Sequence, residues 1–326
     1  MNVGIIGCGL IGQKRARSLA TCRLLACADV VQARAQSLAA MAPGTVAATD
    51  WRKVVGRTDI DIVIVSATNN VLAEIVLAAV IAGKHVLVEK PAARRASELD
   101  AVIASAKEKG VVVRVGFNHR YHPALLKAKA IVDSGDLGDL MFLRGRYGHG
   151  GRIGYDKEWR ANPEISGGGE LLDQGVHLID LSRWFLGEFP HVEGFATTYF
   201  WDMPVEDNGF ILLRTASHKA AFLQVSCTEW KNMFCLEIYG KNGKLQIDGL
   251  GGSYGLERLT HYRMLPQMGP PQTTAWEYPM GDDSWTLEFK EFLDDIHNRR
   301  QPAAGLHDAR AALEIVETVY GLSGLL

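Results

Sequence analysis

The sequence predicts an α/β fold, with a doubly wound parallel sheet at the N-terminus and an α+β domain with a largely antiparallel open sheet after it. Three observations predict it. Apolar strands alternate with helical segments over roughly the first 118 residues, a glycine turn directly follows the first strand, and later segments alternate polar and apolar residues between hairpin-like turns.

The first part of the chain has the order strand, turn, helix, repeated several times. Residues 60–67 (IDIVIVSA) are apolar almost throughout, as in parallel strands covered on both faces. The predicted strands are residues 2–7, 23–29, 60–67, 86–88 and 111–117, and the predicted helices are residues 11–20, 31–41, 74–82 and 96–109.

After residue 118 the pattern changes to a helix over 123–134, hairpins over 210–230 and 234–247, and closing helices over 287–296 and 309–320. Residues 249–283 are rich in Gly and Pro and predict an ordered excursion or a contact surface. We predict domains of residues 1–120 and 121–326, with closing helices that could pack back on the first domain.

Composition excludes several classes of protein. With 35 basic and 37 acidic residues the net charge is −2, so the basic excess of a nucleic-acid binder is absent. No apolar run reaches the ~20 residues that span a bilayer, and the start of the chain lacks a basic signal region, so we expect a cytoplasmic protein with no membrane partner. Five cysteines without a CxxC pair predict free thiols.

The glycine turn has the pattern GxGxxG, with Gly7, Gly9 and Gly12 around Leu10 and Ile11. The pattern alone is weak, but here it follows a strand and opens a helix, where bare backbone can approach a pyrophosphate. Asp29 ends the second predicted strand and can accept hydrogen bonds from ribose hydroxyls, which favours NAD over NADP. The alternatives are a glycine turn without ligand and a solvated aspartate.

Lys90 and the pair Asp173 and His177 are the candidate catalytic residues. Lys90 follows a buried strand at the edge where ligands bind open α/β sheets, although strand-end lysines are often solvated. Asp173 and His177 are four residues apart, so on a helix the carboxylate could orient the imidazole for acid/base work; a structural pair is the alternative. His119, His122 and His149 show no zinc spacing, so no metal site is predicted.

Four segments together resemble the Gfo/Idh/MocA family (glucose-fructose oxidoreductase and inositol 2-dehydrogenase). They are GCGLIG from residue 7, GKHVLVEKP from residue 83, GFNHRYHP from residue 116, and GGGELLDQGVHLIDLSRWFLG from residue 167. The resemblance implies a Rossmann domain, a second domain whose open sheet forms a homo-oligomer, and hydride transfer between nicotinamide C4 and a secondary alcohol or ketone of a sugar or cyclitol.

Carried over by matched position, the resemblance implies His177 as general acid/base, Lys90 polarising or protonating the substrate oxygen, and Asp173 contacting a hydroxyl or orienting the pair. Which of Lys90 and His177 moves the proton stays open. The predicted cofactor contacts are the glycine turn, Asp29, Thr68, Glu89 and Lys90. The chain departs from the family at Asn69 and Leu72, where relatives commonly have proline and, for the second position, histidine.

A glycine-rich loop over residues 146–160 mixes cations with aromatic side chains. Aromatic rings suit sugar faces and arginines suit phosphate oxygens, so a phosphorylated or nucleotide-linked sugar is the leading interpretation; packing on a neighbouring subunit is the alternative. The predicted substrate-binding residues are Arg146, His149, Tyr155, Trp159 and Arg160. The rival functions are a dehydrogenase of a free cyclitol or monosaccharide and a non-catalytic dinucleotide-binding regulator.

Overall fold

The computed structural model describes residues 1–267 and 269–325. The chain folds into two units. The first contains Met1–Phe117, Glu164–Gly167 and Trp285–Leu313, and the second contains Asn118–Pro163, Gly168–Ser284 and Glu314–Leu326. The division into domains of residues 1–120 and 121–326 stays a prediction.

Two sheets and ten α-helices are the main elements of the described residues, with several short 3₁₀ and π turns between them. The strands of the first sheet are β1 Asn2–Ile6, β2 Arg23–Ala28, β3 Val46–Ala48, β4 Ile62–Val65, β5 His85–Glu89 and β6 Val113–Gly116. The strands of the second are β7 Leu140–Gly148, β8 His191–Thr197, β9 Asn208–Arg214, β10 Ala220–Ser226, β11 Met233–Gly240, β12 Gly243–Asp248, β13 Glu257–Arg263 and β14 Gln272–Tyr278. The helices are α1 Leu10–Arg17, α2 Gln32–Ala39, α3 Arg52–Val55, α4 Asn69–Ile81, α5 Asp100–Lys109, α6 Pro123–Asp133, α7 Pro163–Ser166, α8 Val176–Leu186, α9 Ser284–His297 and α10 Leu306–Leu322.

The first sheet is parallel, with strand order β3-β2-β1-β4-β5-β6. The order reverses between β1 and β4, so the carboxyl ends of these two strands flank the crevice in which doubly wound folds bind ligands. All four residues of β4 are buried, which agrees with its continuous apolar sequence. The predicted Rossmann-type α/β fold is confirmed.

Two arginine side chains lie in the core of the first unit and hold α9 there. Arg15 donates from Nε to Glu89 Oε1 across 2.7 Å and from Nη1 to Glu288 Oε2 across 2.6 Å, with both its side chain and that of Glu288 fully buried. Arg114 pairs with Asp295 further along the same helix. A buried ion is stable only when it is paired, so these contacts favour one position of α9 in the first unit. Around them, Phe289 and Phe292 pack into the apolar core.

The second sheet has the order β14-β13-β12-β11-β7-β10-β9-β8, with β7 and β10 parallel and every other neighbouring pair antiparallel. Helix α8 packs on β7 and β10, and α6 packs on β12, β13 and β14. Residues of β11 alternate strictly between buried and half-buried positions, as expected of a sheet with one covered face. The predicted antiparallel open sheet is confirmed.

The structure differs from the predicted elements in several places. The short elements β3, α3 and α7 were not predicted, since each has too few residues to show a period, and neither were the strands β7 and β8. Helix α4 begins at Asn69, not at residue 74. Residues 249–283 contain two strands, β13 and β14, whose pairing partners rather than their own composition hold them in the sheet.

Across residues 1–267 and 269–325, none of the helices has the length and apolar character required to cross a membrane.

Candidate active site

The glycine turn joins β1 to α1. Gly7 has φ +89°, and a Cβ on Gly12 would lie 2.0 Å from the Gly7 carbonyl oxygen, so neither position accepts a side chain. A Cβ on Gly9 would meet no other described atom within 4 Å. Helix α1 starts at Leu10, directly after this glycine, and Ile11 follows in its first turn. The backbone N–H groups at the start of the helix therefore face open space beside Gly9. That is the form of a pyrophosphate cradle.

Asp29 lies at the end of β2 and is bound to the same turn. Its Oδ2 accepts the Cys8 backbone N–H at 2.8 Å, and its Oδ1 accepts that of Val31 at 2.8 Å. The two bonds fix the carboxylate beside the turn, and each oxygen keeps a further lone pair that a ribose hydroxyl can use. The residues present therefore fit NAD.

The departures at residues 69 and 72 have a structural explanation. Asn69 is buried and donates from Nδ2 to the Ser166 carbonyl oxygen across 2.8 Å, so its amide anchors the short segment Glu164–Gly167 within the first unit. Leu72 is fully buried, where it packs rather than contacts ligand. Thr68 precedes the start of α4 in an extended conformation, and its Oγ1 lies 2.8 Å from Asn70 Oδ1.

Lys90 follows β5 at a cis peptide bond to Pro91 and is half-buried. Its neighbour Glu89 is committed to Arg15, as described above, so its carboxylate supports the strand end. The two predicted cofactor contacts therefore differ. Lys90 lies at the carboxyl end of β5, the edge of the sheet where ligands bind, whereas the Glu89 carboxylate pairs with Arg15 in the core.

In the second unit, Gly168 and Gly169 precede a π turn and approach Tyr320 and Glu206 closely. A Cβ on Gly168 would lie 2.1 Å from the Tyr320 hydroxyl oxygen, and one on Gly169 would lie 2.0 Å from the Glu206 carbonyl oxygen. Glu206 accepts the N–H of Gly169 at 2.9 Å, that of Leu171 at 3.0 Å and the Tyr320 hydroxyl at 2.7 Å. Burial raises the pKa of Glu206 to about 7, although these hydrogen bonds oppose the rise.

Asp173 belongs to a π-helical turn, Leu171–Gly175, that leads into α8. The prediction of regular helical spacing between Asp173 and His177 is therefore wrong in detail, because the α-helix begins only at Val176. Arg160 donates from Nε to Asp173 Oδ2 across 3.0 Å, and this charge is the largest cause that raises the pKa of Arg160. π-helical turns are frequent at functional sites.

His149 lies beside Glu170, a buried carboxylate that immediately precedes the π turn. Its Nδ1 accepts the Gly151 N–H at 2.9 Å, so its Nε2 carries the hydrogen that faces Glu170 Oε2 across 3.5 Å. Burial lowers the pKa of His149, but hydrogen bonding and attraction to Glu170 outweigh it, and the pKa is raised. The Tyr155 ring packs edge-on to His149, with 5.4 Å between centroids.

His177, on the first turn of α8, is 4% exposed. Its ring stacks on that of His119, with 3.7 Å between centroids and 16° between planes. Tyr147 of β7 approaches both imidazoles edge-on, and its own ring lies 5.0 Å from that of Tyr254. Burial, the largest cause, raises the pKa of Tyr147 well above its usual range, so the phenol stays neutral beside His177.

The structure does not bring all predicted substrate residues together. Arg146 is exposed and alternates with the buried Tyr147 along β7, so the two side chains lie on opposite faces of the sheet. It is not beside His177, which packs on the covered face. Trp159 stacks on its neighbour Arg160, with the guanidinium carbon 4.6 Å from the ring centroid.

Sequence reasoning assigned no role to three residues that shape this site. His119 was considered only as a metal ligand, and Glu206 and Tyr320 were not singled out. The three contact the site from segments distant in sequence, and no local pattern predicts such contacts. Among the described residues, no group of three or more His, Cys, Asp and Glu side chains could hold a metal ion.

Comparison with family models matches residues 1–117 to the oxidoreductase family with an NAD-binding Rossmann fold and residues 125–246 to the GFO/IDH/MocA C-terminal domain. The chain belongs to the Gfo/Idh/MocA family. The predicted resemblance is confirmed. NAD is confirmed as the cofactor, because the family matched by the N-terminal residues is an NAD-binding one.

Relatives within the Gfo/Idh/MocA family include named dehydrogenases. The chain is 32% identical over 228 residues to levoglucosan dehydrogenase of Pseudarthrobacter phenanthrenivorans, a match that covers 66% of this chain and 58% of that protein. It is 25% identical over 321 residues to inositol 2-dehydrogenase of Salmonella typhimurium, covering 93% of this chain and 88% of that protein.

Solved structures agree with the fold of this family member. Levoglucosan dehydrogenase in complex with NADH superposes with a TM-score of 0.87 at 24% identity, covering 99% of this chain and 98% of that one. An oxidoreductase domain protein from Kribbella flavida superposes with a TM-score of 0.88 at 24% identity, covering 99% and 96%. At these identities the likeness establishes the fold.

Proposed function

We propose that this member of the Gfo/Idh/MocA family is an NAD-dependent dehydrogenase of a free monosaccharide or cyclitol. The observation that carries the proposal is the pairing of Arg160 with Asp173 beside the His149–Glu170 pair. Carboxylates held in this way accept hydrogen bonds from sugar hydroxyls and repel phosphate.

The leading interpretation from the sequence, a phosphorylated or nucleotide-linked sugar, loses its support. It relied on the cations of the 146–160 loop. Arg160 is neutralised by Asp173, Arg152 lies 2.6 Å from Glu158, and Arg146 points to the other face of the sheet. A phosphate bound to either of these two arginines would meet the repulsion of the carboxylate already paired with it, Asp173 or Glu158.

The names of the matched relatives point the same way. Levoglucosan and inositol are neutral polyhydroxylated rings, and the dehydrogenases named for them are similar to this chain over most of its length. For the levoglucosan enzyme the match spans only 58% of that protein, so the charges of this chain are the main support for a neutral substrate.

The proposed reaction needs a base for a hydroxyl proton and an acceptor for a hydride. When bound, NAD would supply the hydride acceptor at nicotinamide C4. We propose that a ring nitrogen of His177 takes the hydroxyl proton while the substrate carbon loses its hydride to that acceptor and becomes a carbonyl carbon. Tyr147 and His119 enclose the imidazole, so water is kept from it. We propose that Lys90 polarises the substrate oxygen and that Asp173, fixed by Arg160, binds a neighbouring hydroxyl.

A panel of substrates tests this proposal. We expect NAD reduction with one or more free sugars or cyclitols, and kcat/KM at least about a hundredfold lower for sugar phosphates and nucleotide sugars. Faster turnover of a phosphorylated or nucleotide-linked sugar would contradict the proposal. Tight NADH binding with no turnover of any substrate would instead support the regulator.

We further propose that the exposed face of the second sheet forms a homo-oligomer. Phe142, Phe195, Leu212 and Phe222 are each at least 36% exposed. Cross-strand pairing places Phe222 directly opposite Leu212, so their side chains share that face. An apolar patch on an otherwise polar surface is typical of an interface between subunits.

A further inference from the structure

The ring of His119 covers one face of the His177 imidazole. It comes from a 3₁₀ turn, Asn118–Tyr121, that immediately follows the first unit and opens the second. His119 is 6% exposed and His177 is 4% exposed, so little water reaches either ring. At 3.7 Å and 16° the two rings are in van der Waals contact over their whole faces.

A chain of hydrogen bonds orients His119. Asn118 donates from Nδ2 to Ser284 Oγ across 2.9 Å, so its Oδ1 is the atom that faces His119 Nδ1 at 3.3 Å. Ser284 in turn donates to Asp282 Oδ1 across 2.5 Å. A carbonyl oxygen accepts a hydrogen, which places the hydrogen of His119 on Nδ1 and fixes the plane of the ring.

A buried histidine and a buried glutamate, His122 and Glu257, lie next to His119. His122 approaches it edge-on, with 5.6 Å between ring centroids, and its Nδ1 lies 3.0 Å from Glu257 Oε2. The same His122 Nε2 lies 3.8 Å from Asp282 Oδ1. Burial raises the pKa of Glu257, but the hydrogen bond and attraction to His122 and the backbone N–H donors outweigh it, and the pKa is lowered.

Several charged or titratable side chains of the second unit lie on neighbouring elements. Arg120, next to His119, donates from Nε and Nη2 to Asp180 of α8, so the two charges neutralise each other. Tyr147 stays neutral, and Asp173 is paired with Arg160. Among these neighbours, His119 is the titratable group whose ring stacks face to face on the proposed base.

We propose that His119 is a positioning residue for His177: the stack holds the imidazole plane and allows the two rings to share at most one added proton. Two stacked imidazolium ions would repel each other at a distance where little water screens them. This inference rests on the proposed role of His177 as acid/base. Its consequence is that protonation of His177 depends on the protonation state of His119.

Three variants test the proposal. His119→Phe keeps a flat ring and removes the titratable group, whereas His119→Ala also removes the stack. His261→Phe is the matched control, since His261 is a buried histidine of β13 in the same unit. His119→Asn replaces the phenylalanine variant if thermal unfolding shows that it does not fold.

The first readout is the titration of the His177 ring followed by NMR, assigned by its loss in His177→Gln. In the unaltered protein we expect a coupled curve with two steps. In His119→Phe we expect one step, with a midpoint about half a pH unit or more higher, since the competing charge is gone. Identical His177 curves in both proteins, or the same displacement in His261→Phe, would overturn the proposal.

The second readout is the pH profile of turnover. The limb of kcat/KM that reports the base should move with the NMR midpoint in His119→Phe, and His119→Ala should lose about tenfold or more in kcat with KM little changed. An unchanged kcat in His119→Ala would overturn the positioning role. Absence of turnover in the unaltered protein would contradict the proposed function but leave the NMR titration to decide the coupling.

Discussion

Arg160 and Asp173 form a hydrogen-bonded ion pair in which the arginine Nε lies 3.0 Å from the aspartate Oδ2. The side chain of Arg160 is 34% exposed and that of Asp173 is 17% exposed. The pair joins the loop predicted to bind substrate to the π turn that precedes α8. Arg160, which the sequence suggests as a phosphate-binding residue, instead orients the carboxylate of Asp173.

Loss of this support should impair catalysis. We expect Arg160→Met to lower kcat/KM by about tenfold or more, because Asp173 loses the donor that orients it. Arg152→Met is the control, since Arg152 is a more exposed arginine of the same loop that pairs with Glu158. Steady-state kinetics on the best free sugar measures both. Equal losses in the two variants would contradict the role of the pair.

Gly9→Ala should separate cofactor binding from folding. A Cβ at Gly9 meets no other described atom within 4 Å, so the melting temperature should stay within a degree or two while the Kd for NADH rises about tenfold or more. Gly12→Ala, whose Cβ would lie 2.0 Å from the Gly7 carbonyl oxygen, should lower both stability and affinity. Unchanged NADH titrations in Gly9→Ala would argue against the turn as the cradle.

Asp29→Ala should weaken NAD more than NADP. The variant removes the proposed ribose acceptor and the charge that repels a 2′-phosphate, so the ratio of kcat/KM for NAD over NADP should fall about tenfold or more. Glu74→Gln changes an exposed carboxylate of α4 and should leave the ratio unaltered. A constant ratio in Asp29→Ala would remove this residue from cofactor selection.

Glu206 should make stability fall as pH rises. Its pKa is raised from 4.5 to about 7 in the folded protein, so the folded state binds the proton more tightly than the unfolded chain. Its contribution is therefore most favourable below about pH 4.5 and decreases up to about pH 7, by on the order of 3 kcal/mol.

Urea unfolding across this pH range measures the effect. Glu206→Gln should flatten that part of the curve, whereas Glu108→Gln, an exposed glutamate of α5, should not. The same slope in Glu206→Gln and in the unaltered protein would show that other groups set the pH dependence.

Phe222→Asp should shift the protein toward the monomer. The side chain is 50% exposed in the middle of the apolar sheet face, where a carboxylate cannot be buried unpaired. Met280→Asp is the control on an exposed residue outside the sheet. Light scattering after size exclusion gives the mass of each, and an unchanged oligomer in Phe222→Asp would place the interface elsewhere.

Local patterns determined the secondary structure and the cofactor turn. Continuous apolar strands between helices predict a covered parallel sheet, and glycines between a strand and a helix predict a phosphate cradle, because both depend on neighbours along the chain. The alternation of polar and apolar residues also predicted the hairpins of β9–β10 and β11–β12. It failed for β13 and β14, which are strands because of what they pair with.

The roles of the polar side chains depend on contacts between segments that are distant in sequence. The sequence by itself placed Arg146 and Arg160 in one cationic loop, but strand alternation turns the first to the exposed face and Asp173 neutralises the second. The stack of His119 on His177 joins two segments far apart in the chain. A charge acts through its distance to other charges and its exposure to water, and folding alone sets both.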